Sequence, residues 1–324
     1  MSLKSDIAIV AIGRNEGDRL LRCLASIQGQ VEQLVYVDSG SQDGSVARAR
    51  KAGVKVVELD PARPFSAARA RNEGFQALGP QPPEFVQFID GDCELVADWL
   101  AVGYEAFNGA ADLGLVTGWR AEINRDASIY NALCHDEWRR PAGEIETSGG
   151  DMLVRSEAFM AVGGFRDDVI AAEDDEFCQR LRQAGWRLLR VPSEMTRHDA
   201  HMQHFGEWWQ RARRSGHGFA QVGQLHPHFF RRERARVLAY GVVLPLLFGL
   251  GLWLNFWISL GVAAVYAFSF LRIYRDRRGG GLEPKVAFQH AGLLFLSKFP
   301  NALGVMQFYL RRLAGRSIRI IEYK

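Results

Sequence analysis

The sequence is poor in cysteine and lacks the spacing that metal sites and disulfide frameworks need. Its four cysteines are scattered, and none belongs to a Cys-x-x-Cys pair: they are Cys23, Cys93, Cys134 and Cys178. This pattern predicts a reducing compartment and no structural zinc site. The first residues also lack a signal-peptide pattern, so we expect a strand to begin almost at once.

Acidic residues are scarce in the last part of the chain. Residues 231–324 hold 15 Lys/Arg against four Asp/Glu, whereas residues 1–230 hold 25 against 33. An acidic body with a basic, apolar tail favours an anionic membrane surface as the partner of the tail. The basic residues flank apolar runs and form no aromatic-studded polar face, so nucleic acid is not expected as a partner.

Charge is absent altogether from residues 237–271, a run of 35 residues that Asn255 divides in two. One membrane span needs about 20 apolar residues. Arginines flank the run at both ends, which favours the cytoplasmic side for both. The run therefore predicts a hairpin of two short spans or a re-entrant pair, with the core of a water-soluble helical bundle as the alternative.

Residues 286–311 form another apolar stretch, which polar residues and a proline interrupt: His290, Lys298, Pro300 and Asn301. They are predicted to form a further helix, either a third, kinked span or an amphipathic helix at the membrane interface.

In residues 1–225, short apolar runs alternate with helical periodicity, which predicts an α/β fold with a mostly parallel sheet. Residues 226–324 are predicted as a helical, membrane-associated region. The predicted strands are residues 7–12, 34–37, 54–59, 85–89, 113–119 and 186–191. The predicted helices are residues 20–27, 46–52, 67–75 and 99–107. The polar stretch 134–147 is predicted to be a loop.

Two carboxylates follow a buried strand at Asp90 and Asp92. On an extended segment, residues i and i+2 point the same way, and ligands of open α/β sheets bind at the carboxyl ends of strands. Hard oxygen ligands suit Mg²⁺ or Mn²⁺, which usually also hold phosphates. The pair predicts a metal–diphosphate site; the alternative is an exposed Asp-Gly turn.

Four acids in succession, Glu173 to Glu176, precede an apolar helical pattern. Acids at a helix start are favoured by the macrodipole alone, so simple capping is one interpretation. The other is a general base, because a carboxylate held at a fixed helix start can take the proton of an attacking hydroxyl.

Four further residues have two interpretations each. Asp38 follows the second strand. One interpretation is that it accepts hydrogen bonds from a nucleobase or ribose, and the other is that it stabilises a turn or caps a helix. Arg71, like Arg69, suits a diphosphate or a solvated helix face. His198 follows the last predicted strand and suits either a metal ligand or an ordinary surface position.

Four of these segments, in this order and spacing, make the chain resemble the family-2 inverting glycosyltransferases of the GT-A fold. They are Ile9-Val10-Ala11-Ile12-Gly13-Arg14-Asn15-Glu16, Val37-Asp38-Ser39-Gly40-Ser41-Gln42-Asp43-Gly44-Ser45, Ala70-Arg71-Asn72-Glu73-Gly74 and Phe88-Ile89-Asp90-Gly91-Asp92. The run from Glu173 to Leu181 also resembles the family's Glu-Asp-x-x-x-x-x-Arg-Leu element. The segment at Gln210 loosely resembles the Gln-x-x-Arg-Trp element of processive members, but Arg214 replaces its tryptophan.

The resemblance implies roles for the matching residues. The catalytic base would be Asp174, although the acid run leaves Glu173 and Asp175 open. The metal, Mg²⁺ or Mn²⁺, would be held by Asp92 with Asp90 and His198. The nucleotide-sugar would be bound by Ala11, Gly13, Asn15, Glu16, Asp38, Arg71, Asp90, Gly91 and Asp92. The acceptor side would include Gly150, Asp151, Glu173, Gln210, Arg213 and Arg214.

The function expected from the resemblance is transfer of a sugar from a nucleotide-sugar, expected to be UDP-linked, to a lipid-linked or polyprenyl-phosphate acceptor. The expected location is the inner membrane, with the catalytic domain in the cytoplasm. A phosphate acceptor would weaken the need for a base, because it is already ionised. One alternative is a sugar nucleotidyltransferase, which lacks support because no glycine-rich phosphate loop follows the first strand. The other is a non-catalytic, membrane-anchored nucleotide-sugar-binding protein.

Overall fold

The computed structural model describes residues 3–315, which divide into two compact units. Over their described residues, the first unit takes in Met1–Arg125 and Cys134–His201, and the second takes in Asp126–Leu133 and Met202–Lys324. The predicted boundary lay at residue 225, so one helix assigned to the first domain by sequence, Phe205–Leu225, falls in the second unit.

The first unit is built on one mixed sheet, in which the strands of the described residues have the order β3-β2-β1-β4-β8-β6-β9-β5, with β7 paired to β9. The strands are β1 (Ile7–Gly13), β2 (Gln33–Asp38), β3 (Lys55–Glu58), β4 (Phe85–Asp90), β5 (Cys93–Leu95), β6 (Leu113–Glu122), β7 (Gly143–Glu144), β8 (Met152–Arg155) and β9 (Arg187–His198). The half formed by β3, β2, β1 and β4 is parallel. The antiparallel strand β8 joins it to β6.

Helices cover both faces of this sheet and connect the parallel strands. They are α1 (Leu3–Asp6), α2 (Asp18–Ile27), α3 (Ser45–Lys51), α4 (Ala67–Gln76), α5 (Trp99–Glu105), α6 (Ile129–Trp138), α7 (Ser156–Ala161) and α8 (Glu173–Gln183). One core packs Phe75, Phe159 and Phe177 against the sheet. The other packs Leu24 and Trp99 against the opposite face. The predicted α/β fold is therefore confirmed.

The prediction of a loop over residues 134–147 is wrong at its start, because α6 continues to Trp138. The polar residues of this stretch concealed a helix that buries Leu133 and Cys134. The expected immediate strand start also differs slightly, since α1 precedes β1.

The second unit is helical. Its helices after α6 are α9 (Phe205–Leu225), α10 (Arg231–Leu238), α11 (Leu244–Leu254), α12 (Phe256–Gly279), α13 (Pro284–Leu296) and α14 (Lys298–Leu313), with a π-helix at Ala239–Val243 between α10 and α11. Helices α9 and α14 cross at small residues. A Cβ on Gly304 would lie 2.1 Å from the carbonyl oxygen of Arg213, so only glycine permits this approach.

Two helical stretches of this unit have the length and composition to cross a membrane, Arg231–Leu254 and Phe256–Gly279. They meet at Asn255, whose side-chain oxygen accepts a hydrogen bond from the backbone nitrogen of Trp257 at 3.0 Å and so begins α12. The predicted helix 286–311 is two helices, α13 and α14, that meet at Ser297. Residues 316–324 of the predicted membrane region lie outside the described residues.

Candidate functional site

Three parallel strands bring their carboxyl ends together at one edge of the sheet. In the register of β1 with its neighbours, Ile12 pairs with Asp90 and Gly13 pairs with Asp38. The residues that sequence analysis placed at strand ends therefore share the edge where ligands of open α/β sheets bind.

Asp38 is buried at this edge, with 1% of its surface exposed. One carboxylate oxygen accepts hydrogen bonds from the backbone nitrogens of Gly40 and Ser41, at 2.9 and 2.7 Å. The other accepts from the hydroxyl of Tyr36 at 2.9 Å. These contacts make Asp38 the organiser of the loop after β2, as in its turn interpretation, and its role toward a nucleobase stays a prediction.

The loop after β1 is tied to the loop after β2. The side-chain oxygen of Asn15 accepts from the backbone nitrogen of Gln42 at 2.8 Å, and Asn15 has a φ of 56°. Gly13 lies where a Cβ would come within 3.3 Å of the Tyr36 hydroxyl. Glu16 pairs with Arg19 at 2.8 Å. Ala11 is fully buried inside β1, so it presents no exposed atom at this edge.

Asp90 and Asp92 do not lie in one group of potential ligands, because the chain turns between them. β4 ends at Asp90, the turn includes Gly91, and β5 begins at Cys93. The rule that places residues i and i+2 on the same side holds only for an extended chain. Among the described residues, Asp92 groups with Cys93 and His198, and Asp90 groups with Cys93 and Asp151.

Arg71 joins the end of β4 to the acidic start of α8. Its guanidinium donates to Asp90 at 2.8 Å and to Glu173 at 2.9 Å. The side chain is 2% exposed, so the solvated-face interpretation is wrong for it, and also for Arg69, which is equally buried and pairs with Glu73. Gly150 makes room for Arg71, since a Cβ there would lie 2.2 Å from its Nη2.

Arg120, at the end of β6, was not identified from the sequence. It pairs with Asp151 at 2.7 Å and with Asp90 at 3.4 Å. Asp151 is 1% exposed, and its other oxygen accepts from the backbone nitrogen of Asp90 at 2.9 Å. Asp151 thus supports Asp90 from inside the protein, whereas sequence analysis expected it on the acceptor side.

The residues around Asp92 fit a divalent cation. His198 Nε2 lies 3.3 Å from Asp92 Oδ1, and two adjacent ligands about 2.1 Å from an octahedral ion lie about 3 Å apart. Burial lowers the pKa of His198 and so favours its neutral, ligating form. Its Nδ1 faces Glu122 Oε2 at 3.7 Å, and a carboxylate behind a histidine commonly orients it toward a metal. Burial raises the pKa of the Cys93 thiol, which makes it a weak ligand for Mg²⁺ or Mn²⁺.

The acidic start of α8 follows a residue in a strained conformation. Ala172 has a φ of 59°, in the left-handed region that L-residues rarely adopt. Burial and the neighbouring charge of Glu173 raise the pKa of Asp174 to about 6. Burial and Asp174 likewise raise the pKa of Asp175. A carboxyl group whose pKa approaches neutrality is suited to exchange a proton with a hydroxyl.

The remaining acceptor-side candidates belong to the second unit. Gln210, Arg213 and Arg214 are partly exposed residues of α9. Their role toward an acceptor stays a prediction, as does each ligand role that the resemblance assigned to the first unit. The polar alternation at the end of β6 was the only sequence feature that could have indicated Arg120 and Glu122.

The sheet and its carboxylate edge define the class of this protein as a GT-A fold. A mannosyltransferase from Pyrobaculum calidifontis, in complex with GDP-Man and Mn²⁺, superposes with a TM-score of 0.57 at 18% identity, over 95% of this chain and 87% of that one. S. aureus TarS, residues 1–349 with UDP-GlcNAc, gives a TM-score of 0.53 at 14% identity, over 96% and 92%.

The chain contains a domain of glycosyl transferase family 2. The model described as Glycosyl transferase family 2 matches residues 8–166, and the model described as Glycosyl transferase family group 2 matches residues 139–275. Glycosyltransferase AglE of Haloferax volcanii is 25% identical over 245 residues, 72% of this chain and 79% of that protein. The N-acetylglucosaminyl-diphospho-decaprenol L-rhamnosyltransferase of Mycobacterium tuberculosis is 27% identical over 237 residues, 60% and 76%. The chain spans less than half of two other relatives, 42% of a Synechococcus elongatus protein with TPR repeats and 48% of a mycobacterial glycosyltransferase.

Proposed function

We propose that this protein transfers a sugar, with inversion, from a nucleotide-sugar to a lipid-linked or polyprenyl-phosphate acceptor at the cytoplasmic face of the inner membrane. The reaction would depend on Mg²⁺ or Mn²⁺ and serve the synthesis of cell-envelope glycan or exopolysaccharide. A UDP-sugar is the expected donor. Family membership supports the transferase, and the diphospho-decaprenol in the name of one relative supports the lipid acceptor.

The observation that carries the proposal is the bridge made by Arg71. Its guanidinium donates hydrogen bonds both to Asp90 at the end of β4 and to Glu173, the residue before the proposed base. Displacement at an anomeric carbon needs a site for the leaving diphosphate and a proton acceptor for the incoming hydroxyl. Arg71 donates one hydrogen bond to each of the two acidic segments that would supply these sites, and so holds the segments together.

Asp92 and His198 would hold the divalent cation, which when bound neutralises the diphosphate leaving group. Glu122 would keep the His198 ring turned toward it. Arg120 and Asp151 position Asp90 by their contacts with it. These residues position the diphosphate end of the donor without themselves exchanging protons.

Asp174 would accept the proton of the acceptor hydroxyl. Its raised pKa makes it a better base than an ordinary aspartate, because an efficient base has a pKa near the working pH. Asp175 shares the raised pKa, and Glu173 is engaged by Arg71, so Asp174 and Asp175 are the stronger candidates.

The two apolar helices that meet at Asn255 would insert in the membrane and keep the enzyme beside its acceptor. Their exposed faces carry large apolar side chains, among them Trp253 at 83% and Trp257 at 74% exposure. A soluble bundle would bury such residues against each other.

The test is release of nucleoside diphosphate from a panel of nucleotide-sugars by membranes that contain the full chain, with Mn²⁺ and with a chelator. We expect metal-dependent release that Asp174→Asn lowers at least about 100-fold, the range of general-base catalysis. Glu173→Gln and Asp175→Asn test the other acids. The matched control is Asp98→Asn, an exposed acid at a helix start whose side chain makes no capping bond.

Each other outcome has a distinct meaning. Release of pyrophosphate from a nucleoside triphosphate and a sugar phosphate would identify a nucleotidyltransferase. Metal-dependent binding of a nucleotide-sugar without any turnover would identify a binding protein. Unchanged turnover in Asp174→Asn would refute the assignment of the base.

A further inference from the structure

Lys298 is a charged side chain buried in the helical unit. Only 8% of its surface is exposed. Its Nζ donates to Ser269 Oγ at 2.7 Å and lies 4.2 Å from the ring centre of Tyr240 and 5.0 Å from that of Phe295. An ammonium group has three donors. Only one of them meets a hydrogen-bond acceptor within the described residues.

The charge of Lys298 has no counter-ion in residues 3–315, where no carboxylate forms an ion pair with it. A buried cation without a counter-ion costs free energy. The two aromatic faces offset part of this cost. A methionine would fill the same space without this cost. The presence of a lysine here therefore indicates a negatively charged partner from outside the chain.

Two arginines lie one helical turn from the residues that surround Lys298. Arg236 precedes Tyr240 by four positions, and Arg272 follows Ser269 by three. Residues at these spacings share a helix face. Neither arginine forms an ion pair within the part of the chain that the structure describes, even though Glu233 and Asp276 lie on the same two helices.

The electrostatics of Lys298 agree with this spacing. Burial, together with the charges of Arg236 and Arg272, lowers the pKa of Lys298 to about 8. The charges of both arginines therefore act on Lys298, and none of the three cations forms an ion pair with an acid within residues 3–315. We call Arg236, Arg272 and Lys298 the hairpin-base cations.

The hairpin-base cations lie at the level where the apolar run ends. Arg236 directly precedes the uncharged run 237–271, and Arg272 directly follows it. If the run is the membrane-embedded part, its charged ends lie among the lipid headgroups. The anionic groups available to these cations among the headgroups are lipid phosphates.

We propose that the hairpin-base cations bind the phosphate of a membrane lipid. Charged donors form the strongest hydrogen bonds to phosphate oxygens, and guanidinium groups match them geometrically. The ligand class is a phosphate monoester or diester on a lipid chain, which includes a polyprenyl phosphate and an anionic phospholipid. The proposal rests on the proposed function only for the membrane insertion of the hairpin.

The test is lipid binding by the full-length protein in neutral detergent micelles, measured by native mass spectrometry without any nucleotide-sugar. The probes are a short-chain polyprenyl phosphate, phosphatidylglycerol and inorganic phosphate. We expect Lys298→Met and Arg272→Met to weaken binding of at least one of the two lipids by about tenfold or more. The matched control is Arg278→Met, which removes the same charge from the same helix end but lies nine positions after Ser269, on the opposite face of α12, and should change the affinity less than about threefold.

Stability separates a ligand site from a structural role. If Lys298 serves a phosphate, Lys298→Met should keep or raise the melting temperature of the lipid-free protein, because it removes an uncompensated buried charge. If its role is only to pack against Tyr240 and Phe295, the variant should melt lower and bind lipid like wild type.

Three results would overturn the proposal. One is unchanged lipid binding in Lys298→Met. Another is an equal loss in Arg278→Met, which would indicate diffuse attraction. The third is competition by inorganic phosphate at the concentration of the lipid, which would mean that the site takes free phosphate. Because no sugar donor is present, failure here leaves the glycosyl-transfer experiment unaffected.

Discussion

Replacing Arg71 by methionine is the sharpest test of how the two acidic segments are held together. Methionine keeps most of the side-chain volume but removes the guanidinium that contacts both Asp90 and Glu173. Both carboxylates then lose a buried partner. Arg120, at 3.4 Å, remains near Asp90, whereas Glu173 forms no second ion pair within residues 3–315 that could replace Arg71.

The expected cost follows from burial. Removing one partner of a buried ion pair typically costs about 3–5 kcal/mol, because the other charge is left uncompensated. The Asp90 side chain is 28% exposed and that of Glu173 is 10% exposed, so water relieves part of the penalty at Asp90. We therefore expect about 3 kcal/mol, which for a domain of this size lowers the melting temperature by about 6–12 °C.

The assay is thermal or denaturant unfolding of the full-length protein, followed by intrinsic fluorescence. The matched control is Arg63→Met, since Arg63 is 57% exposed and pairs with Asp167 at 2.9 Å. Such a surface pair contributes at most about 1 kcal/mol. Adding Glu173→Gln to Arg71→Met should recover about 1–2 kcal/mol, because it removes the stranded charge. A loss in Arg71→Met no greater than in Arg63→Met would refute the reasoning.

Further predictions concern the proposed base, the close approach at Gly150 and the cation site. The pKa of Asp174, raised to about 6, predicts that turnover rises about tenfold from pH 5 to pH 7 as the carboxyl loses its proton, and a flat profile would contradict its role as base. Since the folded protein disfavours ionised Asp174, Asp174→Asn should raise the free energy of unfolding by about 1 kcal/mol at pH 8, after allowance for solvent screening. It should give no gain at about pH 2, where the carboxyl is protonated in both the folded and the unfolded state. Gly150→Ala should cost about 1–3 kcal/mol by displacing Arg71, whereas Gly149→Ala, with nothing within 4 Å of its added Cβ, should be neutral in the same unfolding assay. Asp92→Asn and His198→Gln should each weaken Mn²⁺ binding by about tenfold or more in calorimetry, and equal affinity in these variants and in Asp98→Asn would exclude them as ligands.

Six of the nine strands in the described residues were predicted in their order along the chain, because short apolar runs bounded by turn residues are typical of buried strands. The short strands β5, β7 and β8 were not among them. The carboxylates at the end of β4 and the acids at the start of α8 were identified as candidates on the same basis. The burial of the Arg71 side chain was not predicted, because an arginine in a helix with alternating charges is typical of a solvated face. Its burial depends on Gly150, which comes from a distant part of the chain and leaves room for the guanidinium.

By itself, the sequence determined the local elements, the acidic motif and the separation of a charged body from an apolar, arginine-flanked tail, since these depend on residues near one another in the chain. Only the tertiary structure decided that Asp90 turns to Arg71 and Arg120 while Asp92 turns to His198. It also decided that Asp151 faces inward and that Lys298 is buried and pairs with no acid among residues 3–315. These contacts join segments tens to more than a hundred residues apart, and their partners are chosen by packing, which no local pattern records.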